Sequence, residues 1–188
     1  MKGIFLAVYL AVNCLIAAAQ TSPVTTPFPV SIDTVSKMIT YQGVVEVKGV
    51  KADELYKRID AWFHSYYKNP TEVIRENDSV KYSIVGKPRF RLLTQKEKDG
   101  PKVEGNSTVQ YTITVSARDG RFKFELTSYN WKQLSYYACE KWMDNKATSY
   151  QPVFNDYLQQ LETYSLETIT SLKNVITREK ANKAKDNW

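Results

Sequence analysis

The chain has 188 residues, 43% hydrophobic and 24% charged, enough for one ordinary domain with its own core. Lysine and arginine outnumber aspartate and glutamate 26 to 20, and the two signs alternate along most of the sequence. A nucleic-acid-binding protein concentrates its positive charge, so this mild, dispersed excess argues against that class.

Residues 1–19 (MKGIFLAVYLAVNCLIAAA) read as a signal peptide. Lys2 opens it, an apolar run follows, and Ala17-Ala18-Ala19 supplies a small-residue cleavage site before Gln20. The run is shorter than the roughly 20 residues of a spanning helix. The mature chain is therefore expected to be exported, periplasmic or secreted or at the cell envelope, with no transmembrane segment. Cleavage at Cys14 is disfavoured, because Asn13 stands where a lipobox needs a small residue. Without the signal peptide one cysteine remains, Cys139, which precludes an internal disulfide. Its aromatic neighbours Tyr136, Tyr137 and Trp142 predict a buried thiol.

Residues 20–37, rich in Pro, Thr and Ser, predict an extended leader. A single domain over 38–178 follows. Its first strand runs from Ile39 to Val47 and ends at Gly49. Leu55, Ile59, Trp62, Phe63 and Tyr66 then form one stripe of a helix over Lys51–Tyr67, stopped by Pro70. From Thr71 the period becomes two: a short strand over Glu72–Glu76, a turn at Asn77-Asp78-Ser79, and a strand over Val80–Leu93. Gly86 and Pro88 inside that strand predict a bulge or an edge position. A charged loop is expected over Thr94–Asn106. Val109, Tyr111, Ile113 and Val115 then alternate along a strand over Ser107–Ser116, Asp119-Gly120 marks a hairpin turn, and Arg121–Thr127 is the partner strand. Tyr129–Tyr150 reads as aromatic and irregular, and a long amphipathic helix is expected from after Pro152 to about Arg178, with an apolar face from Phe154 to Ile176. Residues 179–188 are a charged tail.

The order β-α-β-β-β-β-α predicts an α+β fold: a two-layer sandwich with an antiparallel sheet of about five strands, one face covered by two helices. The runs ITYQGVVEVKGVKADELYKRIDAWF and VQYTITVSARDGRFKFELTSY, with the pair Gly86-Lys87 between them, resemble a family. It is the exported domain-of-unknown-function family of Bacteroides-type bacteria with a TATA-box-binding-protein-like (TBP-like) fold. The resemblance covers about Ile39 to Tyr129 and implies that architecture without implying an activity. The fold's name carries no DNA binding with it, because function belongs to sites. Where the family often opens the helix with a small hydroxyl residue, this chain has Lys51.

No catalytic constellation stands out, so no enzyme activity and no cofactor are expected. His64 is the sole histidine, and a general base needs a partner and a pocket. One histidine and one mature cysteine suit neither a zinc site nor a nucleophile pair. The Asn-x-Ser/Thr matches at Asn77 and Asn106 have a sufficient reading as a turn and a strand entry. Two surfaces remain as binding candidates. Lys87, Arg89 and Arg91, with Arg121 and Lys123 on the hairpin, would form a basic patch if their strands are neighbours. A solvated, aggregation-resistant edge is the favoured explanation of these residues. The aromatic residues Tyr129, Trp131 and Trp142 either present a binding surface or roof the core. The leading expectation is a non-enzymatic binding module for an envelope protein, glycan or anionic surface, without nucleic acid. The competing expectation is a small-ligand or lipid carrier, with a cavity between the sheet and the C-terminal helix.

Overall fold

The computed structural model describes residues 28–95 and 100–178. The predicted signal peptide, the leader up to residue 27, residues 96–99 of the charged loop and the tail 179–188 lie outside the described residues. At the centre is the hairpin that alternation predicts, β5 (Lys102–Arg118) and β6 (Arg121–Lys132). Gly120 turns it with φ +77°, a conformation glycine adopts without steric cost. Val109, Tyr111, Ile113 and Val115 face the core beside Phe122, Phe124 and Leu126.

Beyond Leu126 the inward parity of β6 changes. Ser128, at φ +56°, and Tyr129 together oppose the single Tyr111, a bulge that turns odd-numbered residues inward. β6 therefore continues to Lys132 where an irregular segment was expected from Tyr129, and β7 (Tyr136–Ala138) pairs back onto it. A 3-10 turn over Cys139–Met143 follows.

The remaining strands are β1 (Tyr41–Glu46), β2 (Ile74–Asp78), β3 (Ser83–Gly86) and β4 (Arg89–Gln95). Among the described residues all seven strands form one antiparallel sheet in the order β1-β6-β5-β3-β2, with β4 also on β5 and β7 on β6. Three expectations are corrected. Residues expected to begin the second strand instead form a one-turn helix, α2 (Pro70–Val73), where Pro70 sits at a first-turn position that needs no N–H donor. The strand expected over Val80–Leu93 breaks at Lys87-Pro88 into β3 and β4, both paired with β5. The expected charged loop is much shorter, because Lys102, Val103 and Glu104 pair with Gln95, Thr94 and Leu93 in a projecting, solvent-bathed ribbon.

Helices α1 (Ala52–Tyr66) and α3 (Val153–Thr177) cover the apolar face. Leu55, Ile59, Trp62 and Phe63 of α1 are fully buried, as the stripe predicts. Lys51 gives α1 no side-chain cap. Asp119 in the hairpin turn replaces it, accepting from the Ala52 N–H at 2.8 Å. The leader packs inward from Val30, and Ile32 bridges Ile39.

A polar row on α3 fixes its placement. The Tyr41 hydroxyl donates to Glu162, Tyr129 Oη lies 2.8 Å from Ser165 Oγ, Tyr66 Oη lies 3.1 Å from Thr168 Oγ1, and Trp62 Nε1 donates to Ser171 Oγ at 3.1 Å. These positions are three apart, so successive ones are neighbours and the row winds obliquely around the helix. Each is met by an aromatic side chain, two from the sheet and two from α1, which sets both the rotation and the axial position of α3.

Candidate functional site

The break at Lys87-Pro88 creates the most distinctive surface of the molecule. Pro88 has no N–H to pair, and the Lys87 amide turns away to the Val73 carbonyl at 2.8 Å. β4 thereby separates from β3, and a groove of about 1100 Å³ opens beside it. One wall is the end of α1 and α2, from Tyr66 to Val73; the other is Arg89, Phe90 and Arg91, with Tyr164 of α3 contributing. Phe90 and Tyr164 stack with ring centroids 4.1 Å apart. Burial pushes the Tyr164 phenol up to about 12, so it stays protonated at neutral pH.

The groove is cationic. Lys68, Arg75, Lys87, Arg89 and Arg91 line it against two carboxylates, Glu72 and Glu104. Arg91 pairs with Glu104 at 3.2 Å, both well exposed, a contact that solvent screens heavily. The other four cations form no ion pair among the described residues.

The expected basic patch is thus divided. Arg89 and Arg91 lie on one side of β5, and Lys123 lies on the other, opposite Ser116. Lys123 joins Arg118, Arg121 and the exposed Val44 in a separate, smaller depression of about 260 Å³. The aromatic residues divide differently. Tyr129 is 1% exposed and stacks on Tyr111 at 5.3 Å; Trp142 is 2% exposed and packs on Phe154 and Tyr157. Trp131 is half-buried, its ring 5.7 Å from Trp142, and its indole N–H is enclosed with no hydrogen-bond partner. As surface ligand-binding residues Tyr129 and Trp142 are therefore corrected: the Ser128 bulge and the 3-10 turn fold them into the core. Exposed apolar side chains occur beyond them, at Leu134, Tyr136 and Tyr137.

The titratable groups singled out in the sequence are separated by burial. His64 is exposed, its Nδ1 2.9 Å from the Asp60 carbonyl, whereas Cys139 is fully buried and burial pushes its thiol up. A thiol so held is a poor nucleophile. Among the described residues no group of three His, Cys, Asp or Glu side chains is placed to hold a metal, and no helix is long and apolar enough to cross a membrane.

Sequence reasoning did not find Lys68, Arg75, Tyr66 or Tyr164 as groove residues. The available signal was the proline break, which marks β4 as an edge strand.

The fold is an antiparallel sheet covered on one face by helices, a TBP-like α+β architecture. Residues 41–132 match the family described as "Domain of unknown function (DUF4468) with TBP-like fold". Two solved structures share the fold. One is a TBP-like protein from Parabacteroides distasonis, 15% identical, with a TM-score of 0.61 over 76% of this chain and 95% of that one. The other is a DUF4468 family protein from Bacteroides ovatus, 14% identical, with a TM-score of 0.63 over 80% of this chain and 92% of that one. At such identities the likeness concerns the fold alone. No curated protein matches the sequence.

Proposed function

We propose that the protein is an exported, non-enzymatic binding module that takes an anionic partner in the groove beside β4. The observation that carries this reading is the gathering of Lys68, Arg75, Lys87, Arg89 and Arg91 around one concave surface that holds only two carboxylates, Glu72 and Glu104. Such a surface concentrates field and attracts negative charge, the more so at low salt. An envelope protein, a glycan and an anionic surface all present that charge. Export rests on the signal peptide read in residues 1–19. The absence of enzymatic chemistry is supported by the separation of the buried Cys139 from the exposed His64.

The carrier reading finds less support. The space between sheet and helices is filled by Trp62, Phe63, Tyr111 and Tyr129, all buried and in ring contact.

The test is retention on immobilised heparin and on vesicles containing an anionic phospholipid, as a function of salt. The double variant Arg89→Ser/Arg91→Ser should elute at clearly lower salt, and Lys123→Ser should behave like the parent. Unchanged retention of the double variant overturns the assignment of the groove.

A further inference from the structure

We infer that the partner is an extended acidic peptide segment that adds to β4 as a further strand at Arg89 and Arg91; this rests on the groove being the binding surface. Among the described residues β4 is paired on one side only, with β5. Two bonds establish which of its backbone groups face the other side. The Pro88 carbonyl accepts from the Tyr111 N–H at 3.2 Å, so residue 88 is directed at β5. Leu93 instead donates its N–H to Gln160 Oε1 at 2.7 Å and accepts from Gln160 Nε2 at 3.0 Å, so residue 93 is directed at α3. Successive residues of a strand send their backbone groups to opposite edges. Both anchors agree that Arg89, Arg91 and Leu93 face outward. The irregularity in the β4–β5 ladder does not disturb this, because the extra residues lie in β5, between Glu104 and Thr108. Burial along β4 alternates throughout.

Gln160 shows what the edge accepts. Its side-chain amide is chemically a peptide group, and it holds Leu93 with the two bonds a neighbouring strand would make. One turn of α3 thus closes the edge at Leu93 and leaves the N–H and C=O of Arg89 and Arg91 facing the groove. Native proteins usually cover, bend or charge a sheet edge that would otherwise stay bare. Strand addition uses such an edge, taking affinity from main-chain bonds and selectivity from alternate side chains.

Charge and burial then select the occupant. Side chains of an added strand would alternate, one set beside Arg89 and Arg91 on the open face and the other against Phe90 and Tyr164. A sequence alternating acidic and apolar residues meets both requirements. The chain's own leader and tail do not. Residues 20–27 contain no acidic residue, and 179–188 carry three lysines against Glu179 and Asp186. A second copy of β4 would set arginine against arginine, which is unfavourable across a strand pair.

The experiment uses the isotope-labelled full chain and a capped heptapeptide alternating Glu and Val, with amide hydrogen exchange and binding read together. Strand addition slows exchange at the Arg89 and Arg91 amides about tenfold or more as the peptide saturates. N-methylation of the three central peptide amides abolishes binding, and Arg89→Ser/Arg91→Ser weakens it about tenfold, as expected for two partly screened charge contacts. Saturable binding with unchanged exchange at Arg89 and Arg91, or equal binding of the methylated peptide, overturns strand addition and leaves the groove assignment standing. Heparin binding that depends on both arginines, without peptide binding, overturns it in favour of a glycan. Failure of both ligands overturns the groove assignment as well.

Discussion

Ser165→Ala and Tyr129→Phe remove opposite ends of one buried hydrogen bond, and the structure makes their costs unequal. Ser165 Oγ lies 2.7 Å from the Leu161 carbonyl, a group that can only accept, so the serine donates there and accepts from the Tyr129 hydroxyl at 2.8 Å. Tyr129→Phe deletes the donor and leaves Ser165 bonded to Leu161. It should cost an ordinary net hydrogen bond, about 1 kcal/mol. Ser165→Ala leaves the phenol O–H stranded in a core where Tyr129 is 1% exposed. It should cost about 2 kcal/mol, within the usual penalty for an unsatisfied buried donor. The double variant should fall close to Tyr129→Phe alone, since the stranded group is gone. Urea unfolding followed by tryptophan fluorescence measures all three, and in thermal unfolding the single variants should differ by about 3 °C in Tm for a domain of this size. Equal costs for the two single changes, or a double variant that costs their sum, would refute the donor direction and with it the placement of α3 by its polar row.

Three further outcomes are expected. Gly86→Ala sets a methyl group 2.9 Å from the Phe63 ring and 3.2 Å from Ile113 and Val73, so it should destabilise by about 1–3 kcal/mol. A lower urea midpoint with an unchanged slope checks it. Backbone N–H donors hold three carboxylates below their ordinary value of 3.8: Ser36 for Asp33, Lys81 for Asp78 and Ala52 for Asp119. The folded state keeps them ionised where the unfolded chain takes up protons, so their contribution is complete above pH 3.8 and is lost as pH falls below it. Asp119→Asn, which keeps a capping oxygen, should flatten the acid limb of stability while changing little at neutral pH; an unaltered acid limb contradicts the role of Asp119. Cys139, fully buried, should react with a thiol reagent only as fast as the protein unfolds, and rapid labelling of the native chain would refute its burial.

The parts of the fold legible in the sequence are those fixed by local periodicity. The stripe from Leu55 to Tyr66 and the alternation from Val109 to Leu126 each carry their own period, and packing did no more than use it. The β6 extension was not legible, because the Ser128 bulge changes which residues face inward and so destroys the alternation that marks a strand. Pro70 was a similar case: the same residue that ends α1 at Tyr66 starts α2 four positions later. The candidate site was half legible. Arg89 and Arg91 alternate on a strand broken by proline, and that pattern is local. Their separation from Lys123 depends on strand order, since β4 and β6 flank β5 on opposite sides. Tyr164 and Gln160 reach β4 from α3, about seventy residues away, and no pattern near β4 announces them.

The cap supplied by Asp119 gives the domain an order of assembly. Asp119 is 67 residues from the amide it receives, so α1 gains its N-terminal partner only once the β5–β6 hairpin has closed. Short antiparallel hairpins form within about 1–10 μs, far faster than contacts that must close long loops. We therefore predict that the hairpin closes before α1 matures, which amide protection appearing first in β5 and β6 during refolding would check. Loosening the turn at Asp119-Gly120 should fray helix and sheet together, and the two layers should melt as one cooperative unit.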